Sequence, residues 1–320
     1  MERQREEIRL EEQFVIGIDG GGTNTTVIVS GMDGTVIGKY QLGALNINGQ
    51  TYDSTEYTLT AIIRELETLQ LSIKKCKGIC IGAAGISNED TQILFTLILR
   101  KLGMEGVIKL VGDHEAALAG ALEGRTGVIL IAGTGSICYG VNESRVAYRA
   151  GGYGHMIDDA GSGYAIGLDI LKAVVRQSDG RQEQTVLTEK LFRNLQVDTI
   201  GDLITWLYQP NRSKKEIAAL APLLEEGLAV KDKVSIAILE HSVKELTELA
   251  KAVLVHFKES TSLVMSGSVL LKNKEIYQLV CKHIKKEYPE LDIIKMRGNA
   301  AEGAVKIILQ ELASYEYSSQ

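Results

Sequence analysis

Two stretches of this chain share one unusual design, and together they restrict the fold more than anything else in it. Phe14-Val15-Ile16-Gly17-Ile18 is a short apolar run that ends in Asp19, Gly20, Gly21, Gly22, Thr23 and Asn24 before a second apolar run, Thr26 to Val29. Gly127 to Ala132 is again apolar, is followed by Gly133-Thr134-Gly135-Ser136, and returns as Ile137-Cys138-Tyr139-Gly140-Val141. Each reads as a β-hairpin whose turn is made of glycine and small hydroxyl residues. A glycine turn lets phosphate oxygens approach backbone N–H groups closely, because no Cβ intervenes. Either hairpin alone is equally well an ordinary glycine turn. A third segment, Leu263-Val264-Met265-Ser266-Gly267-Ser268-Val269, is a strand running through Gly-Ser into a helical pattern, which gives a flat backbone surface beside a helix N-terminus. Three such segments in this order can hold the phosphates and adenosine of ATP between two domains. Asp19, at a strand end, suits the water shell of Mg²⁺.

The spacing of the remaining elements predicts an α/β chain of two domains. Asp33-Gly34 marks a turn before a third strand, Thr35 to Leu42. Helical periodicity runs over 51–71 and 89–102, with strands at Lys77–Ala84 and Val107–Val111 and an alanine-rich helix over 114–124. The plan restarts at Gly127. A largely helical interior spans Asp169 to Glu259, and the sheet resumes at Leu263 and at Leu291 to Met296. A last helix from Asn299 carries Ala300, Ala301, Gly303 and Ala304 on its first turns; it reads as a close-packing helix or as a plain amphipathic terminal one. We expect domains at 1–118 and 119–320, the second with a helical insertion.

Composition excludes several classes. A chain of 320 residues can build two cores, and 45% hydrophobic with 24% charged residues is ordinary for a globular protein. A net charge of −6 argues against nucleic acid as a partner. No apolar run reaches about 18 residues, so no membrane span is expected. Met1 to Gln13 is charged in both signs, without the apolar core of a signal peptide, so the expected compartment is the cytoplasm. Cys76 and Cys80 are spaced C-x₃-C, and Cys80 and Cys138 lie in apolar runs; all four cysteines, with Cys281, read as buried reduced thiols.

The order of the three glycine segments resembles the actin–hexokinase–sugar kinase superfamily. Within it the chain is similar to the BadF/BadG/BcrA/BcrD ATPase family, which includes N-acetylglucosamine kinases. The most specific match is Gly151-Gly152-Tyr153-Gly154-His155-Met156-Ile157-Asp158-Asp159-Ala160-Gly161-Ser162-Gly163, although Asp158 stands where that family usually has Gly and Ala160 where it usually has Glu. The resemblance implies two ribonuclease-H-like (actin-like ATPase) domains with an interdomain cleft. It also implies packing of the last helix (299–316) near the hinge, and a homodimer.

It further implies an ATP-dependent, Mg²⁺-assisted kinase for an amino sugar: N-acetylglucosamine first, then N-acetylmuramic acid or glucosamine. Asp113 falls on the family's Asp-Ala-Ala segment at the end of a strand. A sugar hydroxyl attacks phosphorus poorly unless a base accepts its proton, so Asp113 becomes the candidate general base and a sugar contact. Read without the resemblance, an Asp here is as well a helix N-cap. Asn46, Ser136, Ile137, Gly152, Tyr153, Gly154 and Asp159 are the other implied sugar contacts. Gly20 to Asn24, Gly133, Thr134, Gly135, Gly267 and Ser268 are the implied ATP contacts. His155 reads as structural, and His114 with Glu115 as a solvated first-turn pair. Two other classes stay open: an ATPase that energises a redox partner, which would need cluster-holding cysteines, and a non-catalytic nucleotide-binding regulator. A clustered Cys/His zinc motif, which marks the ROK sugar kinases, is absent.

Overall fold

The computed structural model describes residues 13–21, 24–45, 52–86, 88–122, 126–258, 261–296 and 298–318. The chain forms two compact units, Met1–Arg125 with Met296–Gln320, and Thr126–Lys295.

The first unit is built on β1 (Phe14–Gly20), β2 (Thr25–Gly31), β3 (Val36–Leu42), β4 (Cys76–Ala83) and β5 (Val107–Val111) in the order β3-β2-β1-β4-β5. β1 pairs antiparallel with β2 and parallel with β4. β1 is almost continuously apolar because both its faces are covered. Phe14, Ile16 and Ile18 point into a core with Leu59, Ile62 and Leu66 of α1 (Tyr52–Thr68) and Phe95, Ile98 and Leu99 of α2 (Glu89–Lys101). Each of these fully buried side chains contributes about 1.5–3 kcal/mol of transfer free energy. Asn88 caps α2 by accepting the Thr91 N–H at 3.3 Å.

The opposite face is covered by the C-terminal helix (Ala300–Ser318), which also lies against α3 (Asp113–Ala121). The small residues read from the sequence make that approach possible. A methyl group at Gly303 would overlap the Ala116 carbonyl oxygen, and one at Gly17 would overlap that of Ala301. Lys306 Nζ donates to the Gly120 carbonyl at 3.3 Å, and Lys109 pairs with Glu311 at 3.0 Å. The expected division at 118/119 would cut through α3; the units divide at Arg125/Thr126 instead, and the C-terminal helix joins the first unit.

The second unit repeats the plan: β6 (Gly127–Ala132), β7 (Ser136–Val141), β8 (Ala147–Gly151), β9 (Ser262–Ser266) and β10 (Asp292–Lys295), ordered β8-β7-β6-β9-β10. The β6–β7 pair is antiparallel and β6–β9 parallel, as in the first unit. Two ribonuclease-H-like α/β units are therefore present, as the resemblance implies. β8 escapes sequence reading because Ala147-Tyr148-Arg149-Ala150-Gly151 lacks the apolar run that marks the other strands. The helical part comprises α4 (Gly163–Ser178), α5 (Leu187–Leu195), α6 (Ile200–Leu207), α7 (Lys214–Ala218), α8 (Leu223–Ala229), α9 (Lys233–Leu254), α10 (Ser268–Lys272) and α11 (Lys274–Glu287). Their apolar faces share one core with the sheet, including Val128, Leu130, Ile170, Leu224, Leu246 and Ile284.

Cys76, Cys80 and Cys138 are buried free thiols, and burial pushes Cys76 and Cys80 up to about 12. Cys281 departs from expectation, being half-buried on α11. Among the described residues no helix is long and apolar enough to cross a membrane.

Candidate active site

In the first unit the chain leaves β1 at Gly20 and returns at Thr25. The turn is tied at its base: Gly21 N–H donates to the Asn24 carbonyl at 3.1 Å, and Leu45 N–H donates to the Gly21 carbonyl at 3.1 Å. Thr25 Oγ1 donates to the Gly43 carbonyl at 2.7 Å, and Leu45 is fully buried. These bonds dock the segment after β3 on the turn. Gly22, Thr23 and Asn46 lie outside the described residues.

Asp19 occupies the penultimate position of β1, between Thr26 of β2 and Gly82 of β4. Burial, and next the charge of Asp113, push its carboxyl up to about 6. Asp113 begins α3, directly after β5. It does not serve as the N-cap: Gly112 holds that position, and Glu115 Oε1 accepts the Gly112 N–H at 2.9 Å. Instead Asp113 Oδ1 accepts the His114 N–H at 3.0 Å and lies 3.4 Å from His114 Nδ1. Desolvation raises the Asp113 carboxyl, but the His114 ring and backbone outweigh it and leave the group below the usual carboxylate range. The Asp113 side chain remains 50% exposed. His114 is buried and Glu115 half-buried, not solvated: the His114 ring lies against Gly112, and Glu115 is drawn back onto the Gly112 N–H.

The β6–β7 turn is tighter. Gly133 N–H donates to the Gly135 carbonyl at 2.9 Å. The start of α4 is fastened to it: Gly163 N–H donates to the Gly133 carbonyl at 2.7 Å and Tyr164 N–H to that of Thr134 at 3.2 Å. Ser162 caps α4 through the Ala165 N–H. Beneath the turn, Asp159 is 4% exposed, with a left-handed backbone (φ 65°), and accepts the Ser136 N–H at 3.2 Å. Burial raises its carboxyl, against the pull of the Ser136 N–H and Lys214. Ser136 Oγ donates to the Ala160 carbonyl at 2.7 Å, so this hydroxyl is engaged within the unit.

Gly133, Thr134, Gly163, Ser268 and Val269 line a cavity of about 280 Å³. Its other walls are Ile166, Ala218, Ala219, Pro222 and Ile276, with Lys215, Glu225 and Lys272 also on its lining. Gly267 has a left-handed φ of 88° and packs on the Ala132 carbonyl, a position no side chain could share. An apolar slot beside a glycine turn has the shape and chemistry for a nucleoside with its phosphates at one end. The α7–α8 wall was missed by sequence reading, since alanines and a proline carry no chemical signature.

Gly152, Tyr153 and Gly154 form a loop leaving β8. Ile137 packs against Gly152, and Tyr153 is 65% exposed rather than part of the core. His155 meets Tyr164 edge-on at 4.9 Å, a structural contact as expected. Among the described residues no group of three or more His, Cys, Asp or Glu could hold a metal. A direct protein cage therefore does not fit. A hydrated Mg²⁺ carried largely by nucleotide phosphates does fit, since Asp19 is a half-buried carboxylate at the strand end that enters the first glycine turn.

The model of the BadF/BadG/BcrA/BcrD ATPase family matches residues 16–307. The chain is 38% identical over 303 residues to the N-acetylmuramic acid/N-acetylglucosamine kinase of Clostridium acetobutylicum, covering 93% of this chain and 99% of that protein. It is 30% identical over 315 residues to the N-acetyl-D-glucosamine kinase of Dictyostelium discoideum, covering 94% and 99%. Its fold matches a crystal structure from Chromobacterium violaceum, described provisionally as an N-acetylglucosamine kinase, with a TM-score of 0.77 at 22% identity over 94% of this chain and 100% of the other. Given the repeated hairpins and a match over nearly its whole length, the chain belongs to the BadF/BadG/BcrA/BcrD ATPase family.

Proposed function

We propose that this chain is an ATP-dependent kinase for an amino sugar, with N-acetylglucosamine the first candidate and N-acetylmuramic acid and glucosamine next. The observation that carries the reading is the 38% identity, over 93% of the chain, to a kinase named for two of these sugars. The cavity beside the Gly133–Gly135 turn supports it, having room for a nucleoside.

In this reading the adenosine lies in that cavity against Gly267 and Ser268. The Gly20–Asn24 and Gly133–Gly135 segments are assigned to the phosphates, which glycine turns can approach closely. Asp19 orients the water shell of a magnesium ion, which when bound neutralises charge on the phosphate oxygens. Asn46, Ile137, Ser136, Gly152, Tyr153, Gly154 and Asp159 hold the sugar. Asp113 accepts the hydroxyl proton as the sugar oxygen bonds to the γ-phosphorus and the bond from that phosphorus to the bridging oxygen breaks, leaving ADP. Its depressed pKa keeps it ionised at neutral pH, and its exposed side chain leaves it accessible to a substrate hydroxyl. In a loose phosphoryl-transfer transition state most of the catalysis is alignment and charge neutralisation, and the base accounts for one part of it. We also read the protein as a homodimer, which light scattering would check.

The test is coupled ADP release with MgATP against N-acetylglucosamine, N-acetylmuramic acid, glucosamine, N-acetylmannosamine and glucose. Strong release with one amino sugar and little without sugar is the expected outcome. Sugar-independent hydrolysis would favour an ATPase acting on a partner, and no release at all a regulator.

A further inference from the structure

The loop after β8 holds an exposed aromatic ring with more machinery than an ordinary connection needs. Gly151, Gly152, Gly154 and Gly161 all have left-handed φ angles (74°, 75°, 97° and 73°), and Asp159 adds a fifth such position without the freedom of glycine. Two opposite charges fix this backbone, and the structure gives them no bond to each other. Arg149 Nε donates to the Gly151 carbonyl at 3.0 Å, and its Nη2 donates to the Gly152 carbonyl at 2.6 Å. The same guanidinium lies 4.7 Å from the centroid of the Tyr153 ring. From the other side Asp158 Oδ2 accepts the Tyr153 N–H at 3.1 Å. Ile157 and Asp158 N–H both donate to the Gly154 carbonyl, closing the loop.

These bonds do nothing for a core. Tyr153 is 65% exposed, and Met156 and Ile157 are 87% and 84% exposed. An exposed tyrosine with a strained backbone on both sides would ordinarily sample several positions. Here its main chain is held by a charge-assisted bond and its ring by a cation. Such preorganisation removes the cost of ordering the ring when a ligand binds.

We propose that Arg149 and Asp158 are positioning residues that clamp Tyr153 as a fixed platform for the apolar face of the sugar. This rests on the kinase reading above and deepens it. It also gives Asp158, which stands where the family usually has glycine, a task distinct from that of its neighbour. Asp159 accepts the Ser136 N–H through one carboxylate oxygen beneath the phosphate turn, whereas Asp158 holds the main chain of Tyr153. Neither clamp residue touches the sugar in this account.

The test is steady-state kinetics of Asp158→Ala, Asp158→Asn and Arg149→Ala, with hydrogen exchange at the Tyr153 amide. Asp158→Ala is expected to raise the sugar KM about tenfold, the scale of one charge-assisted hydrogen bond, with the KM for ATP unchanged. Asp158→Asn keeps an oxygen acceptor and is expected to restore most of the sugar affinity. Arg149→Ala should resemble Asp158→Ala. The Tyr153 amide should exchange faster in Asp158→Ala and return toward wild type in Asp158→Asn. An unchanged sugar KM in Asp158→Ala, or equal changes for sugar and ATP, would overturn the proposal while wild-type turnover left the kinase reading intact. Absence of sugar-dependent turnover in the wild type would remove both readings.

Discussion

The two glycine turns sit on the same scaffold: an antiparallel hairpin at the centre of a five-stranded sheet, with a parallel strand beside it. Their acids differ. In the first unit Asp19 is part of the strand that enters the turn, and Asp113 follows a strand of the same sheet. In the second unit the acid is Asp159, which arrives from a loop 23 residues beyond Ser136 and is buried under the turn. The first turn thus has carboxylates at strand ends, one of them raised to about 6 by burial and by the other's charge. The second has a buried carboxylate that accepts the backbone N–H of Ser136. In the function proposed above, the first scaffold serves cation and proton chemistry and the second holds the nucleotide beside its cavity.

The sharpest way to break that contrast is to neutralise the acids separately. Asp113→Asn should lower kcat by about 10²–10⁴-fold, the usual worth of a general base, with little change in the KM for ATP. Near-normal turnover in this variant would strike the first unit's chemical role. A second large effect is structural and confined to the first unit. Gly303→Val would drive a side chain into the Ala116 carbonyl and should cost about 3 kcal/mol, seen as a lower denaturation midpoint.

Asp19 should show opposite effects on stability and activity. Its folded pKa of about 6 exceeds the unfolded value of 3.8, so the folded state binds this proton more tightly. Its contribution is fully present below about pH 3.8 and is lost as pH rises toward 6. Relative to Asp19→Asn, the wild type should therefore lose stability across that window. Activity should move the other way, with kcat/KM for MgATP rising through about pH 6 and the limb shifting to lower pH as Mg²⁺ is raised. A flat profile from pH 5 to 7 would contradict the role given to Asp19.

The smallest expected effect compares the turns themselves. A methyl at Gly21 would overlap the Asn24 carbonyl, whereas none of the surrounding atoms lies within 4 Å of one at Gly133. Gly21→Ala should destabilise by about 1–3 kcal/mol and Gly133→Ala by less than about 0.5. Equal melting temperatures for the two variants would show that the turns are not differently tied.

The features legible in the sequence were those with a local cause. Alternating apolar runs around glycine gave both hairpins, and Val107–Val111 followed by Gly-Asp placed Asp113 at a strand end. What was not legible depends on tertiary neighbours. The C-terminal helix covers the Ala116–Gly120 face of α3, a contact made across 186 residues by Lys306 and Gly120, and His114 is buried against Gly112. The cavity wall of Ala218, Ala219 and Pro222 has no periodic or chemical mark of its own. The contrast between Asp158 and Asp159 hinges on which backbone N–H each carboxylate meets, and adjacency in sequence hides it.

The central claim is that a phosphoryl group goes from ATP to an amino sugar. Mass spectrometry of N-acetylglucosamine and N-acetylmuramic acid after incubation with the protein and MgATP tests it most directly. The account predicts one phosphoryl group gained by the sugar for each ADP formed. ADP formed with the sugars unmodified, or no ADP from any amino sugar, would contradict it.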